Sequence, residues 1–145
     1  MALGTRRAGR ERALSLLYEA EAKGLSVDDL LAELPVEPDP FALDLVRGVG
    51  TGCERIDAAI ASHAINWEIS RMPAVDRAVL RLAVYELMER DEVPVGVVIS
   101  EAVELAKQYS TEESGSFVNG VLAAIATEAR PVETVETEVA GQPVD

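Results

Sequence analysis

Arginines and one tyrosine gathered near the amino terminus are the side chains of this sequence best suited to binding chemistry. The first twelve residues hold four arginines and one acid, a net charge of +3. On a helix, Arg7, Glu11 and Tyr18 lie nearly on one line, with Arg6 and Arg10 beside it. Guanidinium groups contact phosphates and an aromatic ring stacks on free bases, so this pattern suits single-stranded RNA. A solvated helix start, with Tyr18 at the rim of the core, fits the same residues, and both interpretations stay open.

The residues of common catalytic and metal-binding sites are missing from the sequence. It has one cysteine, Cys53, and one histidine, His63, so a multi-thiolate metal site and Ser/His/Asp chemistry lack their residues. Gly48, Gly50 and Gly52 have G-x-G-x-G spacing without a preceding strand or a following Lys-Ser/Thr, so they do not form a phosphate loop. Close approach of a neighbouring helix is the expected reason for the first and third of these glycines. We therefore expect no catalysis, no cofactor and no metal.

The charge of the chain is strongly uneven. The total is −13, from 13 basic and 26 acidic side chains, and residues 13–145 alone carry −16. Such a body repels nucleic acid at long range, but screening limits each charge's influence to about 8–10 Å. A local basic arm can therefore still meet a phosphate backbone, while the acidic body favours a basic protein partner.

Helical periodicity dominates the chain and predicts an all-α fold, a compact bundle of helices. Ser26 and Asp39 are the expected N-caps of the second and third helices, with Pro40 in the tolerated first helical position. The six predicted helices cover residues 6–23, 26–34, 41–60, 73–90, 95–109 and 117–129, with loops at 66–72 and 110–116.

The carboxyl-terminal residues differ from the rest in composition. Residues 131–145 hold four acids and no Lys or Arg, which predicts a disordered acidic tail after a single domain at residues 1–130. The uncharged stretches are too short to cross a membrane, and no secretory signal pattern is visible. We expect a cytoplasmic protein.

Two further positions have the chemistry to join a binding site. Asp76 shares an arc of the fourth predicted helix with apolar residues, and it either complements the helix amino terminus or accepts base amino and ribose hydroxyl donors. Residues 114–116 precede the sixth predicted helix, whose free amides could bind an anion. Phe117 either joins the core or stacks on a base. The residues alone leave these alternatives open.

Five segments match, in order, the pattern of a known family. They are Arg6–Tyr18, Pro73–Leu87, Asp91–Pro94, Ser100–Lys107 and Glu113–Leu122 without its Gly-Ser pair at 115–116. Over about residues 5–126 the sequence resembles the NusB family of transcription antitermination factors.

The resemblance implies an all-α fold of about six to seven helices in two small packed lobes. It implies a non-enzymatic transcription regulator that binds boxA-type RNA of ribosomal RNA leaders together with NusE, a small-subunit ribosomal protein. The complex would help RNA polymerase read through terminators during ribosomal RNA transcription. The RNA-contact residues carried over by matching position are Arg6, Arg7, Arg10, Tyr18, Asp76 and Phe117.

The surface that binds the protein partner is a separate hypothesis. Val84 and Met88 share an arc of the fourth helix with Arg77 and Arg81, which gives a docking strip unless another helix covers it. The rival function is a helical protein-interaction module without direct RNA binding, whose arginine arm docks on an acidic protein. Either protein could be a monomer or a homodimer.

Overall fold

The computed structural model describes residues 2–131 and 133, which are helical except for short connections. No strand occurs among these residues, so the predicted all-α fold is confirmed. The predicted tail, apart from Pro131 and Glu133, lies outside the described residues. The helices are α1 (Ala2–Lys23), α2 (Val27–Glu33), α3 (Pro40–Thr51), α4 (Cys53–His63), α5 (Ala74–Glu89), α6 (Val95–Tyr109) and α7 (Glu112–Ala129), with a 3-10 turn at Ile69–Arg71 before α5.

The predicted caps begin the helices that they were expected to begin. Ser26 Oγ accepts a hydrogen bond from the amide of Asp29 at 3.1 Å. Asp39 Oδ1 accepts from the amides of Phe41 and Ala42 at 3.0 and 3.2 Å, and Pro40 is the first residue of α3. These local hydrogen bonds satisfy amides that a helix start leaves unpaired, so the sequence alone was sufficient to place both starts.

The long helix predicted from residue 41 is wrong, because the structure divides it into α3 and α4 at Gly52. The break leaves the hydrogen-bond pattern intact, since Gly52 donates to the carbonyl of Gly48 and accepts from the amide of Ile56. The apolar stripe also continues into α4, where Ile56 and Ile60 are buried. Periodicity therefore gave no sign of the change in direction.

The start of α7 also differs from the prediction. The helix begins at Glu112, within the segment predicted as a loop, because Thr111 Oγ1 accepts from the amide of Ser114 at 3.0 Å. Acidic Glu112 and Glu113 complement the helix dipole in the first turn. The expected anion site at residues 114–116 is wrong, since these residues lie inside a helix whose start is capped and acidic.

Helix α5 lies at the centre of the molecule. The helices α1, α2 and α3 pack together, α4, α6 and α7 surround α5, and α5 also contacts α1 and α3. Gly48 permits a close approach of α3 to α5, because a Cβ there would lie 2.1 Å from the ring of Tyr85. Close packing against a neighbouring helix is thus confirmed for Gly48, whereas a Cβ on Gly52 would contact only its own segment. Burial raises the pKa of Tyr85 to about 12.

Candidate nucleic-acid interface

The arginine arm is an ordered part of α1 that rests on Phe41. A Cβ on Gly9 would lie 2.6 Å from Cδ2 of this ring, so glycine lets α1 approach α3 closely. The guanidinium carbons of Arg6 and Arg10 lie 5.2 and 5.3 Å from the ring centroid, within the range of a cation–π contact. Arg6 is exposed and has no carboxylate partner among the described side chains. Its charge is held at the surface and is available to a ligand.

The second arginine of the arm is already paired with a carboxylate. Arg7 donates to Glu101 of α6 through Nη2 and Nε, at 2.7 and 3.2 Å. The hydrogen bond from Arg7 lowers the pKa of Glu101, so this carboxylate is charged at neutral pH. The Arg7 side chain remains largely exposed. A phosphate that binds Arg7 must therefore compete with Glu101.

Arg10 does not belong to the exposed surface. Its Nε and Nη2 donate to the two carboxylate oxygens of Glu86 in α5, at 3.0 and 2.7 Å. Only 4% of Arg10 and 2% of Glu86 is exposed. The prediction that Arg10 contacts RNA conflicts with this arrangement, because the guanidinium is buried and its Nε and Nη2 donors are already held by Glu86. The residue instead connects α1 to α5 through this buried ion pair.

Tyr18 lies on the exposed side of α1, which is compatible with both interpretations left open by the sequence. Its side chain is 48% exposed. Between these two residues Glu11 accepts a hydrogen bond from the hydroxyl of Tyr109, the last residue of α6, at 2.5 Å. Tyr109 is also exposed and adds a second ring to the surface. Tyr109 was not among the residues predicted from the sequence, although an aromatic side chain among polar residues at the end of a helix was a usable signal.

Asp76 and Phe117 meet at the starts of α5 and α7. Asp76 is only 4% exposed, and its Oδ2 accepts from the hydroxyl of Ser114 at 2.9 Å. Its Oδ1 has no hydrogen-bond partner in the described part of the chain. Phe117 packs partly against the core, and its ring centroid lies 6.0 Å from that of Trp67. Both residues line a cavity of about 190 Å³. Asp76 therefore does more than complement its helix start, and Phe117 is not purely a core residue.

The docking strip predicted on α5 is wrong, because other helices cover it. Val84 is completely buried, and Met88 is half-buried. The two arginines of the strip are held by ion pairs to neighbouring helices. Arg77 pairs with Glu21 of α1 and donates to the carbonyl oxygens of Ile69 and Met72 at 2.9 and 2.7 Å. Arg81 pairs with Asp57 of α4, with both hydrogen bonds at 2.8 Å.

A series of contacts links most of these groups into a candidate face, and Ser110, next to Tyr109, joins its two halves through a hydrogen bond between its hydroxyl and that of Ser114 at 3.0 Å. Arg7 with Glu101 and Glu11 with Tyr109 connect α1 to α6, Ser114 with Asp76 connects α7 to α5, and Phe117 with Trp67 extends the face to the loop after α4. No helix of the described residues is long and apolar enough to span a membrane. Among the same residues, no cluster of three acidic, histidine or cysteine side chains is arranged to hold a metal ion.

Fold and surface together define a small all-helical protein that carries exposed arginine and aromatic side chains on α1 and near the end of α6. The model of the NusB family matches residues 7–127 of the chain. The transcription antitermination protein NusB of Syntrophotalea carbinolica is 43% identical over an alignment that covers 91% of this chain and 98% of the relative. The protein of the same name from Sorangium cellulosum is 48% identical, over 86% of this chain and 93% of the relative. The chain therefore belongs to the NusB family, as the resemblance indicated.

Solved structures agree with this assignment. NusB of T. maritima has a TM-score of 0.80 and 36% identity, over 90% of this chain and 96% of that protein. A chain in the crystal structure of antitermination factors NusB and NusE in complex with double-stranded RNA has a TM-score of 0.73 and 31% identity, over 87% and 98% of the two chains. The two-lobed helical fold implied by the resemblance is confirmed.

Proposed function

We propose that this protein is a cytoplasmic transcription antitermination factor that binds boxA-type RNA of ribosomal RNA leaders together with NusE. The complex supports read-through by RNA polymerase. Family membership supports the role in transcription, and the related complex of NusB and NusE with RNA supports both partners. The observation that carries the RNA-binding part is that Arg6 is exposed without a carboxylate partner among the described side chains, and that Tyr18 is half-exposed on the same helix.

The proposed contacts divide by chemistry. Arg6 binds a phosphate directly, and Arg7 binds one by exchanging it for the carboxylate of Glu101. Tyr18 and Phe117 supply rings for unstacked bases. Asp76 accepts hydrogen bonds from base or ribose donors. Arg10 is left out of this set, because it is buried against Glu86.

The RNA that this face fits is an unpaired strand. In a duplex the bases are stacked on one another and paired, so they cannot lie on the rings of Tyr18 and Phe117. A duplex would still contact the arginines through its phosphates, as any nucleic acid would. The aromatic groups therefore distinguish the two forms of RNA, and single-stranded RNA is expected to bind more tightly.

NusE is needed because the chain itself binds RNA weakly. The net charge is −13, and Arg7 and Arg10 are both paired with carboxylates before RNA arrives. A partner with basic groups adds a second positive surface to the same strand, which raises the effective concentration of each contact. The proposed activity is therefore cooperative binding, and it requires no chemical step.

Filter binding with boxA-like single-stranded RNA tests this function. Affinity in the presence of NusE is expected to exceed that of either protein alone by about tenfold or more. A scrambled strand of the same composition and a duplex of the same length serve as controls, and both should bind less tightly. Binding that ignores base sequence even with NusE present would instead favour the helical protein-interaction module without an RNA role.

A further inference from the structure

Trp67 is an exposed tryptophan beside the proposed RNA surface, and it is not among the RNA contacts proposed above. It lies in the connection between α4 and the 3-10 turn and is 50% exposed. Its ring meets that of Phe117 at an interplanar angle of 58°. An exposed indole of this kind leaves a large apolar area in water, which a stacked ligand would cover.

The two rings form part of the wall of the cavity of about 190 Å³ between the starts of α5 and α7. Met72 and Pro73 add apolar surface to this wall. The polar lining consists of two carboxylates and two hydroxyl groups, from Asp76, Glu113, Thr111 and Ser114, and contains no basic side chain. Such a lining repels phosphate and attracts N–H donors, so it selects the edge of a base and not the backbone.

Asp76 lines this cavity, and one of its carboxylate oxygens is a buried acceptor without a partner among the described residues. Ser114 donates to Oδ2, while Oδ1 has no hydrogen-bond partner in the described part of the chain. The residue is only 4% exposed. A buried acceptor without a partner is unfavourable. A bound N–H donor would remove this cost, which favours occupation of the cavity by a ligand that carries one.

We propose that this cavity holds one unpaired nucleobase with an exocyclic amino group, in the first place cytosine, packed against Trp67 and Phe117. The amino group donates to Asp76, as cytosine N4 commonly does to acidic side chains. Uracil presents a carbonyl oxygen at the same position, which a carboxylate repels. The inference rests on the proposed RNA-binding function and adds to it a further binding residue, Trp67, and a base preference.

A double-mutant cycle, which pairs a substitution in the protein with a base replacement in the RNA, tests this inference. The full chain with NusE is titrated with boxA-like RNAs in which each amino-bearing base is replaced in turn by uracil. One replacement is expected to weaken binding by about tenfold. The same replacement should cost almost nothing in Trp67→Ala, which itself binds the unchanged RNA about fivefold or more weakly. Trp67→Phe should retain most of the affinity.

Ile65→Ala is the matched control, since Ile65 is largely exposed in the same loop and does not line the cavity. It should keep both the affinity and the penalty for the uracil replacement. Because Trp67 is the only tryptophan of the chain, quenching of its fluorescence by bound RNA is a second readout.

The outcomes separate this inference from the proposed function. If RNA binds but Trp67→Ala has the same affinity and the same uracil penalties as the unmodified chain, the base-binding cavity is wrong and the RNA-binding function stands. Unchanged fluorescence in the RNA-bound state leads to the same conclusion. If boxA-like RNA fails to bind even with NusE present, both the base-binding cavity and the proposed RNA-binding function are wrong.

Discussion

Replacement of Arg10 by alanine is expected to lower the free energy of unfolding by about 3–5 kcal/mol, because it removes one member of a buried ion pair. The guanidinium makes two hydrogen bonds to Glu86, at 3.0 and 2.7 Å. Without Arg10, the carboxylate of Glu86 stays buried on α5 with no compensating charge. Chemical denaturation followed by circular dichroism measures the loss.

Arg12→Ala is the control for this substitution, since Arg12 is an exposed arginine on the same helix. Its effect on stability should lie within about 0.5 kcal/mol. The double variant Arg10→Met with Glu86→Leu should regain much of the stability, because it removes both charges together. A stable Arg10→Ala protein whose RNA affinity had lost salt dependence would return Arg10 to the RNA-contact set.

Replacement of Arg130 by alanine is expected to cost about 3 kcal/mol or more, since charged hydrogen bonds contribute about 1.5–3 kcal/mol each and do not add fully. Arg130 follows α7, and its side chain is 5% exposed. It donates to the carbonyl oxygens of Glu86 and Arg90 at 2.8 Å, of Leu87 at 2.9 Å and of Val93 at 2.5 Å. These oxygens lie at or just beyond the carboxyl end of α5, and those of Glu86 and Arg90 also accept hydrogen bonds from the backbone amides of Arg90 and Val93.

Thermal and chemical unfolding of two further variants identify the cause. Arg71→Ala removes an exposed arginine that, among the described side chains, pairs with Glu68 alone, at 3.6 Å, and should change stability little. Arg130→Lys should recover only part of the loss, because one ammonium group cannot reproduce the planar fork of a guanidinium. Equal stability of Arg130→Ala and Arg71→Ala would contradict this account of the end of α5.

Local sequence signals predicted most of the helices. They did not predict the boundaries that depend on tertiary packing or that interrupt neither periodicity nor hydrogen bonding. Asp39 and Pro40 marked the start of α3 because capping depends on neighbouring residues only. The turn at Gly52 was missed, since apolar periodicity and hydrogen bonding both continue through it. The early start of α7 was missed because Ser114 and Gly115 are weak helix formers, whereas the Thr111 cap and the packing against α6 determine the helix.

The binding face could be predicted only where exposure follows from the position of a residue on its own helix. Tyr18 is such a case, since it lies off the apolar side that Ala13, Leu17 and Ala20 form in the same part of α1. The burial of Arg10 depends on Glu86, which is 76 residues away in the chain, and that of Val84 depends on helices packed around α5. Trp67 joins Phe117 only through the tertiary fold, so neither sequence spacing nor periodicity indicated the cavity between them.

The salt dependence of RNA affinity, measured side by side for the unmodified chain, Arg6→Gln and Tyr18→Ala with NusE present, tests the central claim most directly. Arg6→Gln should reduce the slope of log affinity against log salt by about 0.7, the value for one single-strand phosphate contact. Tyr18→Ala should weaken binding by about 1–3 kcal/mol at every salt concentration, with an unchanged slope and melting temperature. Unchanged affinity and slope in both variants, with a lower melting temperature for Tyr18→Ala, would show that this face supports the fold and does not bind RNA.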